Sequence, residues 1–231
     1  MRVAILWSGG KDSALALDRI LRMGGYQVMA LVTNFSKSSG RVTMHGVRKQ
    51  LIQHQARSLQ IPLWEVILPD PTMDAFEAAT LSAWHHLRKE VGIEAIVYGD
   101  IFLEDIRSYR DRLAQRAGLQ SIYPLWNVPT DELLREFWRR GHRTVICAAN
   151  ASNARLVGRP LDHRTRAMLA HGTDPCGEHG EFHTFCFDGP HFHYPIPYRL
   201  GSPHLEIYSH NGIAMRFYYV DLLCDSPHSK P

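Results

Sequence analysis

The amino-acid sequence predicts an α/β fold, in which a parallel sheet carries helices on both faces and is followed by a smaller α+β domain. Three observations predict it. Short, nearly continuous apolar runs alternate with longer amphipathic segments through the first half of the chain. A glycine-rich turn joins the first apolar run directly to the first amphipathic segment. Beyond about residue 128 the alternation stops, and Gly, Pro, His and aromatic residues become frequent.

The apolar runs are Val3–Trp7, Gln27–Val32, Leu63–Leu68, Ala95–Tyr98 and Ile122–Leu125. Each is strand-sized and lacks the polar alternation of a half-exposed strand, as expected when both sheet faces are covered. The segments Ser13–Met23, Val47–Leu59, Met73–Val91 and Leu103–Ala117 read as the intervening helices. In the third, Phe76, Ala79, Trp84 and Leu87 recur at roughly helical spacing. Strand and helix in alternation imply a parallel sheet. Thr130, followed by Asp131 and Glu132, reads as a capped helix start, and that helix would run to Arg140 before Gly141. Arg143–Ala149, Glu181–Asp188 and Met215–Leu223 read as later strands, and 225–231 as a frayed tail. The expected division is a nucleotide-binding domain at 1–127 and a substrate or acceptor domain at 128–231. There are no internal repeats.

Composition narrows the class. With 231 residues, 45% apolar and 21% charged, the chain can bury a core and reads as soluble and globular. A formal charge of +3 makes no electrostatic case for a nucleic-acid binder. Cys147, Cys176, Cys186 and Cys224 contain no C-x-x-C pair, which argues against a zinc ribbon or redox motif and for reduced thiols. The N-terminal apolar run is too short for a signal peptide, and no run approaches membrane-spanning length. The expected location is the cytoplasm.

Trp7-Ser8-Gly9-Gly10-Lys11-Asp12-Ser13 is the most informative segment. It ends the first strand and opens the first helix. Two glycines allow positive φ and close backbone approach to a ligand. The amides of the first helical turn then converge on one spot, where the helix dipole favours an anion by about 0.3–1 kcal/mol. Ser8 and Ser13 add hydroxyls and Lys11 adds a positive charge. Asp12 repels phosphate directly, so a Mg²⁺ bridge is its natural role. The segment is not a Walker A loop, because Ile5 and Asp12 stand where that motif needs Gly and Ser or Thr. It matches the S-G-G-x-D-S signature and so resembles the PP-loop pyrophosphatases. The resemblance implies a grip on the β,γ-pyrophosphate of ATP while the α-phosphorus is attacked, releasing AMP and pyrophosphate.

Ligands of open α/β sheets sit at the carboxyl ends of the strands. Thr33, at the end of the second strand, is therefore a candidate to line adenine or ribose. Gly99 and Asp100 end the fourth, where the carboxylate would hold Mg²⁺, orient a substrate or cap the next helix. Tyr123-Pro124-Leu125-Trp126 ends the fifth.

A second dense cluster is Cys176-Gly177-Glu178-His179-Gly180-Glu181-Phe182-His183-Thr184-Phe185. Its carboxylates and imidazoles suit binding an ammonium, positioning an acyl-adenylate or accepting a proton from an amine. A plain polar hairpin entry is the competing interpretation. With the phosphate loop, Tyr123–Trp126 followed by Asp131-Glu132-Leu133-Leu134-Arg135-Glu136, Cys176-Gly177-Glu178, and Gly180-Glu181-Phe182 leading into Phe187-Asp188-Gly189-Pro190, the chain resembles the diphthine–ammonia ligase family along its whole length. The resemblance implies a Rossmann-like five-stranded sheet of order 3-2-1-4-5, of the adenine nucleotide alpha hydrolase type. It places the acceptor site in the second domain, with Glu178 and Glu181 as its carboxylates. The chain departs from the family pattern with His179 for a Gly, His183 for a Glu, and Gly99-Asp100-Ile101-Phe102-Leu103-Glu104-Asp105 after the fourth strand. An imidazole in place of a carboxylate weakens the fit to the trimethylammonium of diphthine. The chemistry therefore carries over more firmly than the substrate.

The expected function is an ATP-dependent amidoligase that adenylates a carboxylate and aminates it with ammonia. The candidate catalytic residues are Lys11, Asp12, Glu178, Glu181 and His183. Nucleotide-binding candidates are Ser8, Gly9, Gly10, Lys11, Asp12, Ser13, Thr33, Gly99 and Asp100, with Asp12 and Asp100 as Mg²⁺ ligands. Expected partners are ATP, ammonia and a carboxylate acceptor, either a small molecule or a modified histidine of an elongation factor. Neither a membrane nor a nucleic acid is expected, and the assembly state, a homodimer included, is left open. The competing functions are a tRNA-modifying PP-loop enzyme and a non-catalytic adenine-nucleotide regulator. His45 is a weak site candidate at the start of a helix. His85-His86 divides between surface and rim, and Cys176 shows no sign of activation. His191-Phe192-His193 reads as a solvated loop, and Arg135–Arg143 as a solvated helix end.

Overall fold

The computed structural model describes residues 1–70, 72–210 and 213–225. The expected frayed tail lies outside the described residues from 226 onward. The first half builds β1 (Arg2–Leu6), α1 (Lys11–Met23), β2 (Gln27–Ser36), α2 (Lys49–Leu59) and β3 (Leu63–Leu68). It continues through α3 (Met73–His86), β4 (Ala95–Val97), α4 (Glu104–Arg116) and β5 (Gln120–Ile122). The strands form a five-stranded sheet of order β3-β2-β1-β4-β5, every pair parallel, as expected. The second half adds α5 (Thr130–Arg139), β6 (Arg143–Asn150), α6 (His163–Ala167), β7 (Phe182–Asp188), β8 (Tyr198–His210) and β9 (Ile213–Cys224). Its strands form an antiparallel sheet of order β7-β6-β9-β8.

Three local expectations are corrected. β5 is Gln120–Ile122 rather than Ile122–Leu125. The chain turns at Tyr123–Trp126, where Trp126 N–H bonds the Tyr123 carbonyl at 3.2 Å. Leu125 is apolar because it plugs the core, not because it lies in a strand. The Met73–Val91 segment is regular only to His86 and ends in a π-type turn at Leu87–Val91, closed by Gly92 in the left-handed region. β8 was not foreseen. It is an edge strand with many polar residues, and a register shift between Leu200 and Pro203 accommodates the proline.

Helix α1 explains how the two sheets share a core. Its buried residues include Ala14, Leu15, Ala16, Leu17 and Ile20, more than one face of a surface helix supplies. One apolar cluster runs from Ile5, Leu17 and Leu51 to Phe137, Val145 and Phe185, linking the parallel and antiparallel sheets. A second cluster, with Trp84, Tyr98 and Leu113, lies on the other face of the parallel sheet. Each fully buried Leu or Phe contributes about 1.5–3 kcal/mol.

A buried ionic cluster reinforces this junction. Asp18 of α1, fully buried, accepts hydrogen bonds from Arg140 (2.9 and 3.0 Å) and Arg22 (3.2 Å) and pairs with His191 at 2.7 Å. Glu136 of α5 pairs with Arg19 and, at 2.6 Å, with Arg22. The sequence placed Arg140 on a solvated helix end and His191 in a solvated loop. Both instead bond to Asp18, a partner far away in the chain.

Candidate functional site

The phosphate loop leaves β1 at Leu6 and enters α1 at Lys11. Gly9 has φ +79°, and a Cβ there would stand 2.5 Å from Ile52 and 2.7 Å from Gln55. Only glycine meets both demands. Gln55, buried on α2, donates to the Gly9 carbonyl (2.9 Å) and the Cys186 carbonyl (2.6 Å) and accepts from the Trp7 indole (2.8 Å). One amide side chain thus fixes the loop to the second sheet. Cys186 N–H donates to the Gly9 carbonyl at 2.8 Å, and Lys11 N–H donates to the Thr184 hydroxyl at 3.0 Å. Ser8 Oγ accepts from Gly10 N–H (3.2 Å), while Ser13 Oγ donates to the Gly10 carbonyl (3.0 Å). Gly99 lies beneath the helix start, where a Cβ would meet the Asp12 backbone at 3.0 Å.

The segment 174–181 closes on this loop. Asp174 Oδ1 accepts from Cys176 N–H (2.8 Å) and Glu178 N–H (3.2 Å), and its Oδ2 accepts from the Thr130 hydroxyl (2.8 Å). Gly177, at φ +70°, lets Phe182 pack closely against the turn. Glu181 Oε1 accepts from Asp174 N–H at 2.9 Å, so its carboxylate braces the turn. Glu178 Oε1 reaches across to accept from Ile101 N–H at 2.8 Å, tying the turn to the end of β4.

Electrostatics converge on Lys11. Its ammonium is buried, lies 2.7 Å from Asp12 Oδ2 and sits 5.6 Å from the centre of the Phe182 ring. Burial alone would lower its pKa, but Asp12, Cys176 and Glu178 offset this and raise it. Asp12 is also raised, first by burial and then by Asp174 and Asp100, with Lys11 acting against them. Burial, with the Asp12 charge adding to it, pushes Glu178 up to about 7. Two imidazoles complete the group. The His45 and His183 ring centres are 4.5 Å apart. Burial, together with the Lys11 charge, lowers His45 to about 4 and His183 well below its usual value.

With this geometry in view, a sequence model of the diphthamide synthase N-terminal domain matches residues 1–121, just over half of the chain. The chain belongs to the diphthamide synthase family. Diphthine–ammonia ligases of Bos taurus and Homo sapiens are 27% and 26% identical to it over 217 residues, covering 83% of this chain and 80% of theirs. The Schizosaccharomyces pombe diphthine–ammonia ligase is 25% identical over 214 residues, and the match covers 35% of that longer protein. Among solved structures, a predicted subunit of tRNA methyltransferase from Methanocaldococcus jannaschii matches with TM-score 0.41 and 21% identity over 80% of this chain and 96% of that one. The U34-tRNA thiolase NcsA from Methanococcus maripaludis matches with TM-score 0.38 and 17% identity over 60% of this chain and 56% of that one.

Within this family member, the fold brings Ser8–Ser13, Gly99, Glu178 and His183 together around the helix start. Thr33 is nearby, but its hydroxyl donates to the Trp7 carbonyl at 2.6 Å and braces the loop. Asp100 caps no helix, since Leu103 occupies the N-cap of α4. Its carboxylate pairs with Arg110 at 2.6 and 3.3 Å and lies close enough to Asp12 to help raise its pKa. His179 is exposed and meets Phe102 edge-on at 5.2 Å. Cys176 is buried, its thiol donates to the Thr130 carbonyl at 3.4 Å, and burial raises its pKa. Among the described residues, no group of three or more His, Cys, Asp or Glu side chains is arranged to hold a metal ion. No helix among them is long and apolar enough to cross a membrane.

Sequence reasoning missed Gln55, Asp174 and Arg110, and it gave Thr184 a place in the second cluster but no task. A buried amide on the apolar face of α2 signals Gln55, and Asp174 before Pro175 is a turn former. Arg110 carried no local signal.

Proposed function

We propose that this protein is an ATP-dependent amidoligase, which transfers AMP to a carboxylate and then replaces AMP with ammonia. The observation that carries the proposal is the closure of the 174–181 turn, with Glu178, onto a phosphate loop centred on Lys11. The names of the relatives, diphthine–ammonia ligases, support the same chemistry. In this reading residues 1–127 bind ATP and residues 128–231 supply the acceptor side. The Lys11 ammonium and the loop amides other than those of Gly10 and Lys11, which are bonded to Ser8 and Thr184, hold the pyrophosphate while the carboxylate attacks the α-phosphorus in line. Asp12 fits a Mg²⁺ ion carried with the phosphates, because one protein carboxylate plus phosphate oxygens satisfies that ion. The ion would neutralise phosphate charge. Asp100, held by Arg110, positions the end of β4 instead.

In the second half-reaction, Glu178 is the proposed proton acceptor. A carboxyl titrating near 7 both accepts and releases a proton at neutral pH. Glu181 is assigned a bracing role, and His183 faces the acceptor. That acceptor is a small-molecule carboxylate or the modified histidine of an elongation factor, and the cytoplasm is the proposed location. The test is product analysis with ATP, Mg²⁺, ammonium and a panel of carboxylates that includes diphthine-bearing elongation factor. AMP, pyrophosphate and amide in equal amounts with one carboxylate are expected. Release of ADP, or no carboxylate-dependent AMP, would overturn the proposal.

A further inference from the structure

The loop between β2 and α2 brings one group to the site that the ligase reading leaves without a task. His45 lies against the phosphate loop, and a Cβ added to Gly10 would stand 3.3 Å from its Cε1 and 3.0 Å from the Thr184 carbonyl. Its imidazole hydrogen-bonds the Thr184 backbone, while its buried Nδ1 has no partner among the described residues. A neutral ring that donates from one nitrogen presents a lone pair on the other. An acceptor left buried without a hydrogen bond is unfavourable, so a ligand N–H placed there relieves a standing penalty. The ring is held firmly. Its Met44 neighbour accepts at the backbone carbonyl from the Tyr219 hydroxyl (3.2 Å), and the Cys147 thiol donates to the His45 carbonyl (3.5 Å). The His183 ring lies against it, tilted by 37°, and Phe217 follows with its ring centre 5.5 Å from that of His183.

We propose that His45, with His183 beside it, forms the binding site for ammonia, the nucleophile of the second half-reaction. This rests on the ligase reading above and names a subsite within it. Two features select the ligand. The acceptor is a lone pair, which needs an N–H or O–H donor. The Lys11 ammonium, close enough to act on both rings, disfavours a cation and so selects ammonia over ammonium. Ammonia bound there keeps its own lone pair for the acyl carbon. The new C–N bond forms as the acyl C–O bond to AMP breaks, and the bonding pair leaves with AMP. The extra proton on nitrogen passes to the Glu178 carboxylate. His45 orients the nucleophile and takes no proton.

The experiment is ¹⁵N NMR of the imidazoles in the full-length protein loaded with a non-hydrolysable ATP analogue. Ammonium chloride is titrated against sodium chloride at fixed pH and ionic strength. Saturable shifts of the His45 and His183 rings with ammonium alone are expected. His45→Phe keeps a ring beside His183 but removes the lone pair, and it should move the His183 response to roughly 2- to 10-fold higher ammonium while leaving analogue binding intact. In turnover assays the same variant should raise the KM for ammonium by roughly 2- to 10-fold, the loss of one hydrogen bond, with the KM for ATP unchanged. Equal responses to both salts, or a His183 response at unchanged ammonium in His45→Phe, would overturn the assignment. Carboxylate-dependent AMP without an ammonium shift sinks this subsite and spares the ligase. A specific ammonium shift without AMP for any carboxylate supports the subsite and sinks the ligase.

Discussion

Helix α1 carries two polar clusters of opposite character, one around Asp18 in its middle and one around Lys11 and Asp12 in its first turn. Asp18 is fully buried yet saturated, with Arg22, Arg140 and His191 covering its oxygens. Burial pushes its pKa up, but hydrogen bonds from Arg140 and His191 and the charge of Arg22 prevail and hold it at about 2. At the first turn the balance is reversed. Asp12 and Glu178 are raised by burial, and Glu181 Oε2 and His45 Nδ1 are buried without partners among the described residues. The Asp18 oxygens are thus paired within the chain, although the adjoining His142 ring, 3.9 Å away, keeps both nitrogens buried without partners among the described residues.

The comparison is broken most forcefully at Asp18. Asp18→Asn leaves Arg140 and His191 facing a neutral amide, and about 1–3 kcal/mol of unfolding free energy should be lost. Urea unfolding at pH 7 checks the loss, while affinity for an ATP analogue stays unchanged. The folded pKa of Asp18 lies below its ordinary value of 3.8, so its contribution is present above that pH and lost as pH falls through about 2. The variant should lack this acid-side slope. A stable variant with lost nucleotide binding would place Asp18 in the site instead.

Asp12→Asn is the complementary change. AMP formation should fall by roughly 10²–10³-fold, the usual loss when a charge-stabilising group is removed. The substitution also removes the counter-charge of the buried Lys11 ammonium, so unfolding free energy should fall with it. Steady-state AMP release and urea unfolding of the same preparation separate the two effects.

The mildest change sharpens the comparison through pH. Glu178 has a folded pKa of about 7 against an ordinary 4.5, so its contribution to stability is complete below 4.5 and is lost as pH rises through 7. Glu178→Gln should remove that part of the slope and make the variant relatively more stable at pH 8 than at pH 4.5. The limb of the AMP-release profile near pH 7 should disappear with it. Parallel stability curves for wild type and variant between those pH values would show that Glu178 titrates normally.

Legibility in the sequence followed the range of the interactions. The phosphate loop was plain because seven consecutive residues carry it, and the parallel strands were plain because burial on both faces leaves an unbroken apolar run. Leu125 misled for the same reason, since apolar character alone does not separate a strand from a core plug. Edge strand β8 lacked any such signal. Glu178 and Glu181 look equivalent in sequence, yet one reaches Ile101 across the sheet end and the other turns back onto Asp174.

The sequence by itself determined the strand–helix order, the glycine-bearing loop and the residue types available for phosphate and acyl chemistry, because these depend on neighbours within a few positions. Only the tertiary structure decided that Arg110 would claim Asp100, that Arg140 and His191 would claim Asp18, and that His45 would reach the phosphate loop with one nitrogen unpaired among the described residues. Which partner neutralises a charge, and which charge keeps none, depends on distances between segments far apart in the chain. Local composition carries no record of those distances.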